Sequence, residues 1–161
     1  MSELKTENKL IEQVLNSAKT IAMVGVSFMD KEKTSKIIKR KPSVIVMKYL
    51  QEFGYRVIPV NPFSVGKEIN EETVVANLKD ITIPVDVVNV FRPSKETPDI
   101  AKETIKLRAK ALWLQYGIEN QEAKKIAELE NIIYISNRCI KQEYQRLFLK
   151  MSPVFPALKT D

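Results

Sequence analysis

The chain has 161 residues, 44% of them apolar, a size that suits one domain with a sizeable core and excludes a nucleotide domain followed by a separate catalytic domain. With no histidine and one cysteine, Cys139, it excludes an internal disulfide, lacks the usual zinc and iron ligand sets, and removes Ser-His and Cys-His nucleophiles. The net charge of +6 points to an anionic ligand or surface, and no apolar run approaches the ~18 residues that span a bilayer.

The start, MSELKTENK, has no basic region leading into an apolar one, so the expectation is a cytoplasmic protein without a membrane anchor. Leu10, Ile11, Val14, Leu15 and Ala18 recur at helical spacing, which predicts an amphipathic helix within residues 1–19 packed on the domain. IAMVGV (21–26) is a near-continuous apolar run, the pattern of a strand covered on both faces. Six basic residues follow within eleven positions (Lys31, Lys33, Lys36, Lys39, Arg40 and Lys41), with one acid, Glu32, among them. Such a run is either a solvated loop or a collar for phosphates.

Ser43 is placed to cap a helix running to about Phe53, with Val44, Met47 and Leu50 on one face and Gly54 as terminator. YRVIPV (55–60) and VDVVNVF (85–91) are the second and third strands, and Thr97 to Arg108 keeps a helical period. ALWL (111–114) is the fourth strand, 119–130 another amphipathic helix, NIIYI (131–135) the fifth strand, and 140–149 the closing helix. The domain therefore covers 20–150, with 151–161 as a C-terminal tail. Strands alternating with helices of this length specify an α/β, Rossmann-like, doubly wound parallel sheet of about five strands with helices on both faces, because parallel neighbours need crossovers.

In such sheets ligands collect at the carboxyl ends of the strands, so the candidate groups are those just after each strand. After the first come Gly25, Val26 and Ser27, where a glycine lets a phosphate approach the backbone amides. A glycine there is more often a plain turn. The next glycine is Gly54, so neither G-x-G-x-x-G nor a P-loop is present. After the second strand Pro59, Val60, Asn61 and Pro62 form a tight turn with no acid for a ribose hydroxyl, which further weakens NAD. Phe91 is either a purine platform or core, and Arg92 either a phosphate fork or a surface ion-pair partner. Gln115, Tyr116 and Gly117 follow the fourth strand, and Asn137, Arg138 and Cys139 the fifth. Together these describe a site for a phosphorylated adenine compound.

The blocks IAMVGVS, KPSVIVMKYLQEFGYRVIPVNP, DVVNVFRP, ALWLQYGI and NRCIKQEYQRL, in this order, resemble the small stand-alone CoA-binding proteins related to the CoA-binding domain of succinyl-CoA synthetase alpha subunits. The resemblance covers roughly residues 20–148. It implies a Rossmann-like domain holding coenzyme A by its ADP moiety, with Gly25 and Ser27 by the pyrophosphate and Lys41, Pro42 and Ser43 as the basic-Pro-Ser element. It also implies a role for the turn Pro59 to Pro62, including Asn61, with Arg56 toward the 3′-phosphate. Val90, Phe91 and Arg92 would flank the adenine side, and Gln115 and Gly117 the pantetheine side. The loop between Ser27 and Lys41 is longer than the family's usual one. The last block reads Asn137, Arg138, Cys139 and then Glu143, Tyr144, where the family commonly has Asp-Arg-Cys and Glu-His.

The function expected is binding of CoA or acyl-CoA without catalysis by the chain itself, as a carrier or sensor, with a protein partner or homo-oligomer left open. Alternatives are a subunit of a CoA-thioester ligase, a nicotinamide-dependent oxidoreductase, or, weakest, a nucleic-acid binder working through the basic loop. Cys139 is either a small core residue or a thiol able to form a mixed disulfide with CoA. The high charged fraction, 29%, with abundant Lys, Ile and Glu, hints at a thermophilic source.

Overall fold

The computed structural model describes residues 2–27 and 42–150. Lys41, the basic stretch 31–40 and the tail 151–161, all given roles above, lie outside the described residues. The elements are α1 (Ser2–Ser17), β1 (Thr20–Val24), α2 (Pro42–Glu52), β2 (Arg56–Val60), β3 (Glu68–Ile69), β4 (Glu72–Thr73), β5 (Val87–Val90), α3 (Thr97–Leu107), β6 (Ala111–Leu114), α4 (Gln121–Leu129), β7 (Ile133–Ile135) and α5 (Ile140–Phe148). Five strands form one parallel sheet in the order β2-β1-β5-β6-β7. This is the Rossmann-like α/β sheet that the sequence predicts.

The apolar runs are buried on both faces. Ile21, Met23, Val87 and Trp113 face one core with Ile11 and Leu15 of α1, Met47 and Leu50 of α2 and Ile140 of α5. Ala22, Val88, Val90, Leu112 and Leu114 face the other, with Ile100 and Ala101 of α3 and Ala123 and Ala127 of α4. Odd and even strand positions thus serve opposite layers, as the pleat requires. At about 25 cal/mol per Å2 of apolar surface, the burial of both faces is the main force holding the sheet between its helices.

Boundaries differ from expectation where local chemistry intervenes. β1 ends at Val24 because Gly25 turns the chain with φ +95°. α4 starts at Gln121 because the Asn120 side chain accepts from Ala123 N–H at 2.9 Å. α2 starts at Pro42, not after Ser43, so Ser43 lies inside its first turn and does not cap it; a proline tolerates that position since its missing N–H would be unpaired there. Residues 61–84, in which the sequence pattern shows no element, hold the short antiparallel pair β3–β4 and a 3-10 turn, Leu78–Asp80. Asn70 and Glu71, at φ 50° and 70°, make the turn between those two strands.

Candidate functional site

The chain leaves β1 to build β2 on one side and then crosses back to build β5 on the other. The carboxyl ends of β1 and β5 therefore mark the switch in strand order, where open parallel sheets bind ligands. A cleft of about 220 Å3 opens there, lined by Gly25, Asn61, Arg92 and Glu96, with Val60, Leu78 and Ile100 as apolar floor. Phe63, 86% exposed, stands at its rim.

Gly25 is held at both sides. Its N–H donates to the Val60 carbonyl at 2.8 Å, and the Phe91 N–H donates to the Val24 carbonyl at 2.8 Å. A Cβ at position 25 would lie 2.9 Å from the Phe91 carbonyl oxygen and 2.9 Å from Arg92 Cδ. Glycine is needed both for the positive φ and for the Arg92 stem that lies over the turn. Val26 points into the core, and its carbonyl accepts from Asn61 Nδ2 at 2.8 Å. Asn61 Oδ1 in turn accepts from Phe63 N–H at 2.9 Å, an Asx turn that shapes the rim. Ser27 N–H donates to Ser43 Oγ at 3.0 Å, so the buried Ser43 ties the β1 turn to the start of α2.

Arg92 and Glu96 form a two-bond pair, Nε to Oε1 at 2.9 Å and Nη2 to Oε2 at 2.7 Å. The hydrogen bonds from Arg92 hold the Glu96 carboxyl below its ordinary pKa, and Glu96 in turn raises that of Arg92. Glu103 also lines the cleft. The strand ends themselves carry no acid, yet α3 and the turn before it bring two.

The remaining candidates are distributed otherwise. Arg56 is the first residue of β2 and so lies at the amino edge of the sheet, where it pairs with Glu72 at 3.1 Å. Four further residues of a strand rising about 3.3 Å each separate it from the turn at Asn61, so the structure does not bring it to the cleft. Phe91 packs against the core of α1, α2 and α5, on the face away from the cleft, which favours the core reading over a purine platform. Val90 and Pro59 are buried strand residues, while Pro62 lines the cleft.

Gln115, at the carboxyl end of β6, is spent on the fold. Its Oε1 accepts from Ile140 N–H at 3.0 Å and from Asn89 Nδ2 at 3.2 Å. Gly117 N–H donates to Asn137 Oδ1 at 2.7 Å. Cys139 is half-buried, packs against the core and occupies the position before α5, with no side-chain cap bond. Arg138 beside it is bound to Glu7 of α1 at 2.8 Å and to Glu143 at 3.4 Å. Both glycine turns and Cys139 share the cleft's edge of the sheet. Leu78, Ile100, Glu96 and Glu103 also line the cleft although none directly follows a strand; only the four-residue spacing of Arg92 and Glu96 signals that pair.

The family described as CoA binding domain matches residues 19–145, most of the chain. The chain belongs to this family. Uncharacterized protein YneT of Bacillus subtilis (strain 168) is 35% identical over 131 residues, covering 81% of this chain and 89% of that protein. Among solved structures, cell-free ID.343 from Thermus thermophilus is 38% identical with a TM-score of 0.76, covering 88% of this chain and 98% of that one. A hypothetical protein from Pyrococcus horikoshii OT3 is 36% identical with a TM-score of 0.75, covering 87% and 91%. No helix of the described residues is long and apolar enough to cross a membrane.

Proposed function

We propose that this CoA-binding domain protein binds coenzyme A or an acyl-CoA through the ADP half in the cleft between β1 and β5, acting as a carrier or sensor in the cytoplasm and not as a catalyst by itself. The observation that carries the reading is the convergence of the Gly25 turn and the Arg92 fork over an apolar floor at the switch point, in a chain of this family. The floor of Val60, Leu78 and Ile100 suits a purine, and the Gly25 turn and Arg92 suit its phosphates. The pantetheine arm then runs along the carboxyl edge past Gln115 and Gly117. Three strand spacings of about 4.8 Å separate β1 from β7, whose end carries Cys139. A Cys139 thiolate that attacks CoA disulfide would form a mixed disulfide and release one CoA thiolate.

The test is calorimetric titration with CoA, acetyl-CoA, dephospho-CoA, ADP, ATP and NADH. Micromolar affinity for CoA supports the reading, and no CoA binding at that concentration overturns it. A second reading, a nicotinamide dinucleotide in the same cleft, is favoured by one observation: Glu96 and Glu103 supply acids for ribose hydroxyls. NADH binding tighter than CoA would select it. Intact mass after incubation with CoA disulfide decides the redox role of Cys139, with an unmodified mass counting against it.

A further inference from the structure

Arg92 lines the cleft, and the edge of its guanidinium made by Nε and Nη2 is already taken by the two oxygens of Glu96. A carboxylate bound in this fork-to-fork way imitates the oxygen pair that a phosphate presents to arginine. The arginine stem at the same time lies within van der Waals reach of the position a Cβ would take at Gly25. The Glu96 contact therefore keeps Arg92 across the turn whose amides a phosphate would approach.

We propose that Glu96 is an internal competitor that occupies Arg92 in place of the ligand's phosphate and so sets the affinity for phosphate ligands. Binding is an exchange in which carboxylate leaves the fork and phosphate enters it, and ligands that cannot replace both hydrogen bonds leave the Arg92–Glu96 pair closed. The exchange lowers the affinity of phosphate ligands by the worth of the Arg92–Glu96 pair, most completely excludes weak single anions, and leaves a ligand without phosphate untouched. The pair is more than one-third exposed on each side, so solvent has ready access and the exchange needs no opening of the core. The inference rests on the ADP half binding in this cleft.

The experiment is titration of CoA, ADP and adenosine into the full chain, its E96Q and R92Q variants and the double variant. Glu96→Gln keeps the shape of the side chain and removes its charge. It is expected to tighten CoA and ADP by about two- to fivefold, the fold-change of releasing a partly exposed ion pair worth about 0.5–1 kcal/mol, while leaving adenosine unchanged. Arg92→Gln is expected to weaken CoA and ADP, and in that background Glu96→Gln should add little. Unchanged or weaker binding by E96Q overturns the competition, because Glu96 would then be neutral or a ligand contact. An equal gain with and without Arg92 also overturns it, since simple repulsion would explain the effect. If the unsubstituted chain binds neither CoA nor ADP, the reading of the cleft itself fails, an outcome distinct from binding that ignores Glu96.

Discussion

The Asn61 side-chain amide donates from Nδ2 to the Val26 carbonyl at 2.8 Å, joining the turn after β2 to the turn after β1. Asn61 is 9% exposed, so both groups lie out of reach of much water. Asn61→Ala would also free the Phe63 N–H. Leaving a buried polar group without a partner costs about 1–3 kcal/mol, so the unfolding free energy from denaturant titration should fall by that much, and the midpoint with it. Calorimetry should show weaker CoA binding as the Phe63 rim loses its shape. An unchanged midpoint would show that this bond does not hold the cleft together.

Position 25 is under two constraints. Gly25→Ala should destabilise by about 1–2 kcal/mol from the positive φ alone, with a further cost because the Phe91 carbonyl is backbone and cannot swing aside. Thermal unfolding measures the sum. Tolerance of alanine would mean that the Arg92 stem and the β5 turn move freely.

One acceptor, Gln115 Oε1, serves the start of α5 and the centre of β5. Gln115→Leu keeps the bulk and removes the acceptor, leaving Ile140 N–H and one bond of Asn89 unmet in a buried region, at about 2 kcal/mol. Hydrogen exchange at Ile140 should accelerate before exchange at β1 does. If CoA affinity falls more steeply than stability, Gln115 contacts the pantetheine arm and its structural role is secondary.

Burial pushes the Tyr55 hydroxyl up to about 12 from 10.0, and it donates to the Leu15 carbonyl. A folded pKa above the unfolded one means that the folded chain keeps its proton longer. The Tyr55 contribution is fully present below pH 10 and is lost between pH 10 and 12, at most about 2.7 kcal/mol at 1.36 kcal/mol per pKa unit. Tyr55→Phe should flatten that decline, and the stability difference between the two proteins should shrink across the same window. A constant difference would place Tyr55 outside the alkaline transition.

Much of the fold was legible because each main-sheet strand is a short apolar run and each helix keeps its 3.6-residue period. Residues 61–84 were not, since two-residue strands around a left-handed Asn70–Glu71 turn carry no period to detect. The cleft floor residue Leu78 comes from that stretch. For the site, Gly25, Asn61, Pro62 and Arg92 could be placed by the rule that ligands meet strand ends. Arg56, expected near the 3′-phosphate from the resemblance alone, opens its strand and so lies at the edge of the sheet opposite the cleft. Phe91 continues the alternation of β5, so once Val90 faces α3 and α4 it turns to the other layer. Glu96 and Glu103 reach the cleft through the way α3 packs, which local sequence does not encode.

Glu7 and Asn8 of α1 take hydrogen bonds from Arg138 and Arg146, partners 131 and 138 positions further along the chain. The other end of α1 meets Tyr55 only 40 positions on. During synthesis, at about 5–20 residues per second, α1 can be anchored early at its carboxyl end but gains the partners of Glu7 and Asn8 only after Arg138 and Arg146 have emerged. α1 is thus secured in two stages set by sequence separation, and the arrival of α5 completes its contacts.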